Sequence, residues 1–159
     1  GSDVCSSDLS HPMSSAVVID AIRTPIARAD ARAGWFRDVR SDELSAGLIS
    51  ELVNRTGIDP ALIEDVRWGC VQQQGEQGYD IARIAVLMAG LPIETGGVTI
   101  NRNCASSLQA INDSAMSIMA GCENVQVAGG VEHMDHIPMT KYYDPAPDRK
   151  RTRLNSSHW

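Results

Sequence analysis

Short apolar runs alternate with longer amphipathic stretches along this chain, and that alternation limits its fold more than any other feature. Four runs rich in β-branched or other apolar residues predict strands, at 16–22, 63–71, 97–101 and 124–130. Three stretches with apolar residues at helical spacing predict helices, from Ser41 to Gly57, Tyr79 to Ala89 and Cys104 to Ala120. Strands that alternate with helices imply the α/β class, with a mainly parallel, mixed sheet covered by helices.

The helix predicted from Cys104 should turn its apolar stripe towards that sheet. Its larger apolar residues recur every three or four positions, which favours burial of Leu108, Ile111, Ala115, Ile118 and Met119. Gly121 follows this stripe and is typical of a residue that closes a helix.

Composition excludes several classes of protein. The chain has 159 residues, 14 basic and 20 acidic side chains and a net charge of −6, which argues against a nucleic-acid partner. The longest nearly apolar run, Ile84 to Ile93, is about half of the roughly 20 residues that span a bilayer, so no membrane span is expected. The four cysteines form no CxxC pair, which favours neither a zinc site nor a disulfide framework and indicates a reducing, cytoplasmic compartment.

The two ends of the chain differ from its middle, because both are polar and neither shows a strand or helix period. Ser2 to Leu9 resembles the translation of one strand of a widely used sequencing-library adapter. Asp148 to His158 resembles the translation of the opposite strand, and Arg151 is its one departure.

This double resemblance predicts the domain organisation. We expect residues 1–12 and 148–159 to be non-native tails, which should be left out of any reasoning about the fold. Residues 13–147 would then be one truncated domain with Met13 as its native start.

Cys104 is the strongest candidate for chemistry, since it lies at the turn between the strand 97–101 and the next helix. A thiolate is a nucleophile, and the partial positive charge at a helix N-terminus stabilises it. That stabilisation is about 0.3–1 kcal/mol, which lowers a thiol pKa from ~8.5 to only about 8. A general base, usually a histidine, is therefore still needed.

A structural role is the alternative for Cys104, because free cysteines are often small core residues, and position alone favours neither role. Cys70 in a predicted strand and Cys122 after a predicted helix fit structural roles better. His133 and His136 do not lie in a segment that points clearly at Cys104. They are three residues apart with no other ligand cluster, so we predict no metal site and expect them to shape a loop or face solvent.

The segment 100–111, INRNCASSLQAI, resembles the acyl-enzyme signature of the thiolases. Three further segments are similar to that family: AIRTP at 21–25, WGCVQQ at 68–73 and AGGVEHM at 128–134. The resemblance covers about residues 16–140. The second and third segments are more similar to the bacterial 3-ketoacyl-CoA-cleaving branch, found in fatty-acid oxidation complexes, than to the biosynthetic acetoacetyl-CoA branch.

The resemblance implies an acyltransferase that cleaves 3-ketoacyl-CoA with CoA into acetyl-CoA and a shortened acyl-CoA, as in fatty-acid β-oxidation. By motif match, Cys104 is the nucleophile that carries the acyl group as a thioester. CoA is then a co-substrate, and neither a bound cofactor nor a metal is expected. The family's G-H-P histidine, C-x-G cysteine and N-E-A-F asparagine do not occur in this sequence. We therefore assign no CoA-binding residue and expect the fragment to be inactive by itself.

The resemblance also implies partners. Members form homodimers or tetramers, and the oxidation-complex type pairs with a hydratase/dehydrogenase α-subunit. Three alternatives stay open: a biosynthetic acetoacetyl-CoA thiolase, a β-ketoacyl synthase with the same general fold, and a non-catalytic thiolase-like lipid-binding module. Downstream G-H-P and C-x-G motifs would exclude the last of these.

Overall fold

A three-stranded parallel sheet lies at the centre of the structure. The computed structural model describes residues 15–139, and the predicted tails at 1–12 and 148–159 lie outside them. The strands are β1 (Asp65–Gly69), β2 (Gly96–Ile100) and β3 (Gln126–Gly130), and their order in the sheet is β2-β1-β3. All the strands in the described range run parallel, which confirms the α/β class and the mainly parallel sheet.

Three α-helices begin and end within two residues of their predicted limits: α1 (Ser41–Thr56), α2 (Ile81–Met88) and α3 (Ser106–Met119). Gly57 ends α1 in the left-handed region at φ 64°, as its place in the sequence predicts. The cap at the start of α1 is Arg40, and the Glu43 carboxylate accepts its backbone N–H at 3.1 Å. None of the helices within residues 15–139 has both the length and the apolar character that crossing a bilayer requires.

The apolar core lies on the side of the sheet that faces α1 and α2. Trp68 of β1 is 4% exposed, and its indole N–H donates to Ser45 Oγ of α1 at 3.1 Å. This bond satisfies the one polar atom of a large buried ring. The other buried residues of this core are Ile49, Ile63, Val66, Cys70, Ile81, Ala82, Ala85, Val86, Leu91 and Val127.

α3 packs on the opposite side, and two glycines allow it to come close. A β-carbon at Gly69 would lie 2.7 Å from Ser107 Cα and 2.5 Å from the Ser106 carbonyl carbon. A β-carbon at Gly130 would collide with the Ser107 side chain. Because carbon atoms in contact are normally about 3.5–4.0 Å apart, the first turn of α3 can lie here only if both positions are glycine.

The predicted burial of the apolar stripe on α3 is wrong. The helix instead buries a row of small residues against the sheet: Ser106, Ala110 and Ser114. Of the residues predicted to be buried, Leu108 is 60% and Ile111 45% exposed, while Ala115, Ile118 and Met119 are half-buried. The short distance between helix and sheet leaves no room for large side chains, so α3 turns its small residues inwards and its large ones outwards.

The predicted strand at 16–22 is also wrong. This segment belongs to no strand, and Val17, Val18 and Ile19 are 75%, 80% and 70% exposed. β-branched residues favour a strand but do not supply a pairing partner, and this segment pairs with neither β2 nor β3, although each has one unpaired edge within the described residues. The segment is instead held to α1 by an ion pair of 3.0 Å between Asp20 and Arg55.

The close approach of α3 can be tested with Gly69→Ala, which should lower the free energy of unfolding by about 1–3 kcal/mol because the new methyl group overpacks the α3 backbone. Gly47→Ala is the matched control, since Gly47 lies inside α1 with nothing within 4 Å of its missing β-carbon. The control should stabilise the chain by about 0.5–1 kcal/mol. Urea unfolding measures both variants, and wild-type stability in Gly69→Ala would contradict the packing described.

Candidate functional site

Cys104 lies on the turn that joins β2 to α3, at the edge of the sheet where the strands end. The helix begins at Ser106 with Ala105 as its cap, so Cys104 precedes the helix rather than starting it as predicted. The preceding residue, Asn103, has φ 50°, in the left-handed region that asparagine tolerates better than most residues. This turn leaves the Cys104 thiol exposed, as a nucleophile requires.

Side chains on both sides of Cys104 fix this turn. The Asn101 side-chain amide donates to the Val71 carbonyl at 3.0 Å, and its Oδ1 accepts the Asn103 backbone N–H at 3.0 Å. The Ser106 hydroxyl donates to the Asn103 carbonyl at 2.6 Å and accepts the Arg102 backbone N–H at 2.9 Å. Cys104 is therefore exposed on a turn whose backbone is hydrogen-bonded at both ends.

A cavity of about 160 Å³ opens beside Cys104. Its lining comes from residues at or just beyond the ends of the strands and from the start of α3: Gly69, Val71, Asn103, Ser106, Ser107 and 130–132. In open α/β sheets, ligands bind outside the carboxyl ends of the strands, and this cavity lies there. The described residues that line it include no histidine.

A larger cavity of about 320 Å³ adjoins the first and shares Gly130, Val131 and Glu132 with it. Apolar side chains form much of its wall, including Ile26, Phe36, Leu44, Leu48 and Trp68. The segment 130–132 therefore separates the space beside Cys104 from a second, more apolar space.

The other two cysteines of the described range differ from Cys104. Cys70 is fully buried, and burial together with the negative charge of Glu132 raises the pKa of its thiol to about 12. It stays protonated and serves as a core residue, as its position in the sequence predicts. Cys122 is exposed, so the structural role expected for it is not matched by burial.

His133 and His136 stack on each other with ring centroids 4.2 Å apart. His133 is buried with Nε2 2.8 Å from the Val39 carbonyl, and His136 places Nδ1 2.9 Å from Glu76 Oε1 and Nε2 2.5 Å from the Arg37 carbonyl. Both histidines thus shape the contact between their loop and the segment before α1, one of the two roles expected for them.

The spacing of Glu76, His133 and His136 would suit a metal ion, because their ligand atoms lie within 4.8 Å of one another. Both ring nitrogens of His136 already face acceptor oxygens, and an imidazole satisfies two acceptors only when it carries two N–H groups. The Arg37 carbonyl and then the Glu76 carboxylate raise the pKa of His136 accordingly. A ring nitrogen that donates to an oxygen has no lone pair to offer a metal ion, and we assign no ion to the cluster.

Several residues around the site were missed by sequence reasoning. Glu132 accepts backbone N–H groups of Val71 and Gln72, and Gln77 is fully buried with its side-chain oxygen accepting the His133 backbone N–H at 2.8 Å. The segment 72–78 is polar and glycine-containing, so it indicates a loop and does not reveal which glutamine turns inwards. The only indication in the sequence that Glu132 belongs to the site was its position just after the predicted strand 124–130.

Comparison with known proteins shows which family the sequence matches. The pattern of the thiolase N-terminal domain matches residues 16–157. A 3-ketoacyl-CoA thiolase of Vibrio cholerae is 48% identical over 136 residues, and one of Shewanella denitrificans is 52% identical over 136 residues, each covering 85% of this chain and 35% of the relative. A 3-ketoacyl-CoA thiolase of Aeromonas salmonicida is 45% identical over 146 residues, which covers 91% of this chain and 37% of the relative.

A solved structure agrees with the sequence relatives. The crystal structure of the Bacillus anthracis acetyl-CoA acetyltransferase superposes with a TM-score of 0.61 and 34% identity, over 71% of this chain and 30% of that one. The chain thus spans about a third of the length of the relatives it matches.

The His136 contacts predict how stability changes with pH. Because the pKa of His136 is raised in the folded chain, its contribution to stability is complete below its ordinary pKa of 6.5 and is lost as the pH rises through the raised value. The difference in free energy of unfolding between wild type and His136→Gln should therefore be largest below pH 6.5 and shrink above it. Urea unfolding from pH 5 to pH 9 measures this difference, and a constant value across the range would count against the assigned contacts.

Proposed function

The chain belongs to the thiolase family, and we propose that its parent enzyme cleaves 3-ketoacyl-CoA with CoA to acetyl-CoA and a shortened acyl-CoA. The observation that carries the proposal is the exposed Cys104 thiol, on a fixed turn at the carboxyl ends of parallel strands and beside a cavity. Relatives at 45–52% identity are named 3-ketoacyl-CoA thiolases, whereas the acetyl-CoA acetyltransferase is 34% identical. This difference supports the degradative reaction over the biosynthetic one.

In the proposed reaction, the Cys104 thiolate attacks the 3-keto carbon of the substrate. The bond between C2 and C3 then breaks, and its electron pair leaves with the acetyl-CoA portion, which takes up a proton. The acyl group remains on Cys104 as a thioester until the sulfur of a second CoA displaces it. Cys70 cannot take this role, because its buried thiol has a pKa of about 12.

We propose that this chain by itself does not catalyse thiolysis. Within residues 15–139, His133 and His136 bind carbonyl and carboxylate oxygens away from the Cys104 cavity, so neither is free to act as its base. The base and the CoA-binding residues are expected in the two thirds of the parent that this chain does not span.

The outward face of α3 supports burial by further protein. Leu108, Ile111 and Met116 are 60%, 45% and 57% exposed there. Exposed apolar side chains that cluster on one face mark an interaction surface. We propose that the rest of the parent covers this face and that the parent forms a homodimer or tetramer in the cytoplasm. A hydratase/dehydrogenase α-subunit is the further proposed partner.

We also propose that residues 1–12 and 148–159 are translated adapter rather than native protein. The family match runs to residue 157 and includes most of the second segment, so the test has to be made on the gene. Sequencing the intact locus should give a reading frame that lacks Ser2 to Leu9 and continues past Pro147 into other sequence. A genomic locus that encodes both end segments would overturn this proposal.

Replacing the proposed nucleophile tests the function in the full-length parent. Cys104→Ser should reduce thiolysis at least a thousandfold, because a hydroxyl is far less ionised than a thiol at neutral pH. Cys122→Ser is the matched control, since Cys122 is also exposed but lies beyond the far end of α3, and it should keep wild-type activity. Release of acetyl-CoA from a 3-ketoacyl-CoA measures both, and an active Cys104→Ser enzyme would exclude the proposed mechanism.

A further inference from the structure

We propose that Glu132 is a positioning residue for Cys104, acting through the Val71–Gln72 peptide and the Asn101 side chain. The inference rests on the proposed role of Cys104 as nucleophile. Val71, Asn101 and Glu132 each follow the carboxyl end of a different strand, so these three residues lie at the same end of the sheet.

The first step joins the end of β3 to the end of β1. The Val131 N–H donates to the Gly69 carbonyl at 2.9 Å, which extends the pairing of the two strands by one residue. Glu132 follows directly, and its Oε1 accepts the N–H of Val71 and, at 3.2 Å, that of Gln72. One side-chain oxygen of Glu132 thus accepts two successive N–H groups and holds the chain where it leaves β1.

The second step joins the end of β1 to the residue after β2. The N–H of Gln72 and the carbonyl of Val71 belong to one peptide group. Its N–H donates to Glu132, while its carbonyl accepts the Asn101 side-chain amide at 3.0 Å. Hydrogen bonds on both sides of a peptide polarise it and strengthen each other, so Asn101 is held more tightly when Glu132 is in place.

The third step reaches the turn that carries the thiol. Asn101 Oδ1 accepts the Asn103 N–H at 3.0 Å, and the Asn103 carbonyl accepts the Ser106 N–H at 3.0 Å. Asn103 has φ 50°, a conformation that persists only when its surroundings hold it. Cys104 follows this residue, so loss of Asn101 from its place removes one of the two sets of contacts that fix the backbone of the thiol, and the Ser106 contacts remain.

Glu132 also lines the cavity beside Cys104, so its hydrogen bonds to Val71 and Gln72 lie at the candidate site itself. The positioning role needs an oxygen that accepts two N–H groups, and a glutamine side-chain oxygen can do so without a charge. Glu132→Gln should therefore retain the role, and Glu132→Ala should lose it. A role of the negative charge itself would instead be lost in both variants.

Amide hydrogen exchange of the full 159-residue chain, resolved residue by residue, tests the connection. Glu132→Ala should speed exchange about tenfold at Gln72 and at Asn103, while α1 exchanges as in wild type. Glu132→Gln should restore wild-type exchange at both positions. Unchanged exchange at Asn103 in Glu132→Ala, or no rescue in Glu132→Gln, would overturn the proposal.

Asn101→Ala tests the later step alone and stands even if Glu132→Ala fails to fold. It should speed exchange about tenfold at Asn103, and combining it with Glu132→Ala should add little more there, since both changes break one series of contacts. Exchange at Asn103 that stays at the wild-type rate in Asn101→Ala would refute the connection.

Activity of the full-length parent separates this proposal from the proposed function. Glu132→Ala should lower kcat at least tenfold with little change in KM, and Glu132→Gln should keep kcat. If Cys104→Ser stays active, the proposed function is wrong whatever the exchange data show. If Cys104→Ser is inactive but Glu132→Ala keeps full kcat, only the positioning role is wrong.

Discussion

Gly69 and Gly130 lie side by side in the register of β1 and β3, and the missing β-carbons at these two positions set the distance between α3 and the sheet. The first turn of α3 rests on the ends of both strands, so the chain leaving β2 must reverse within a few residues to reach it. Cys104 lies in that reversal and is exposed at the mouth of a cavity. In a parallel sheet the carboxyl ends of all strands share one edge, and Val71, Asn101 and Glu132 meet there for that reason.

The short distance between α3 and the sheet also explains why this helix buries its small residues and exposes its large apolar ones. Beneath the helix the sheet carries Arg67, which pairs with Asp65 at 3.2 Å and with Glu123 at 3.0 Å. Burial raises the pKa of Asp65, although the charge of Arg67 opposes that rise. A polar sheet face close to the helix favours small residues such as Ala110 and Ser114 over leucine or isoleucine. The large apolar residues of α3 consequently point away from the sheet, and Leu108 and Met116 are 60% and 57% exposed there.

Sequence patterns predict those parts of the structure that depend on local interactions. Gly57 ends α1 because a left-handed cap favours glycine, and each of the three strands overlaps an apolar run that predicts a strand. The reversed burial on α3 was not predictable, because it depends on two glycines distant in sequence from the helix. The segment 16–22 has the composition of a strand, but composition does not tell whether the segment will pair with an edge of the sheet.

Cys104 could be singled out from its place between a strand and a helix and from the motif around it. Glu132, Asn101 and Gln77 could not, because their roles arise from hydrogen bonds to backbone groups that are remote in sequence. Periodicity shows which residues face a core, and it does not show which polar side chain will accept a given N–H group. The candidate site therefore has an exposed cysteine that sequence reasoning finds and a set of supporting contacts that only the folded chain reveals.

The proposed role of Cys104 as nucleophile is tested most sharply by locating the acyl group in the full-length parent. The enzyme is mixed with a 3-ketoacyl-CoA in the absence of free CoA, quenched in acid, digested and examined by mass spectrometry. We expect a shortened acyl thioester on the peptide that contains Cys104, which disappears when CoA is added before quenching. An acyl group on Cys70 or Cys122, or no acylated peptide while acetyl-CoA is released, would contradict the proposed mechanism.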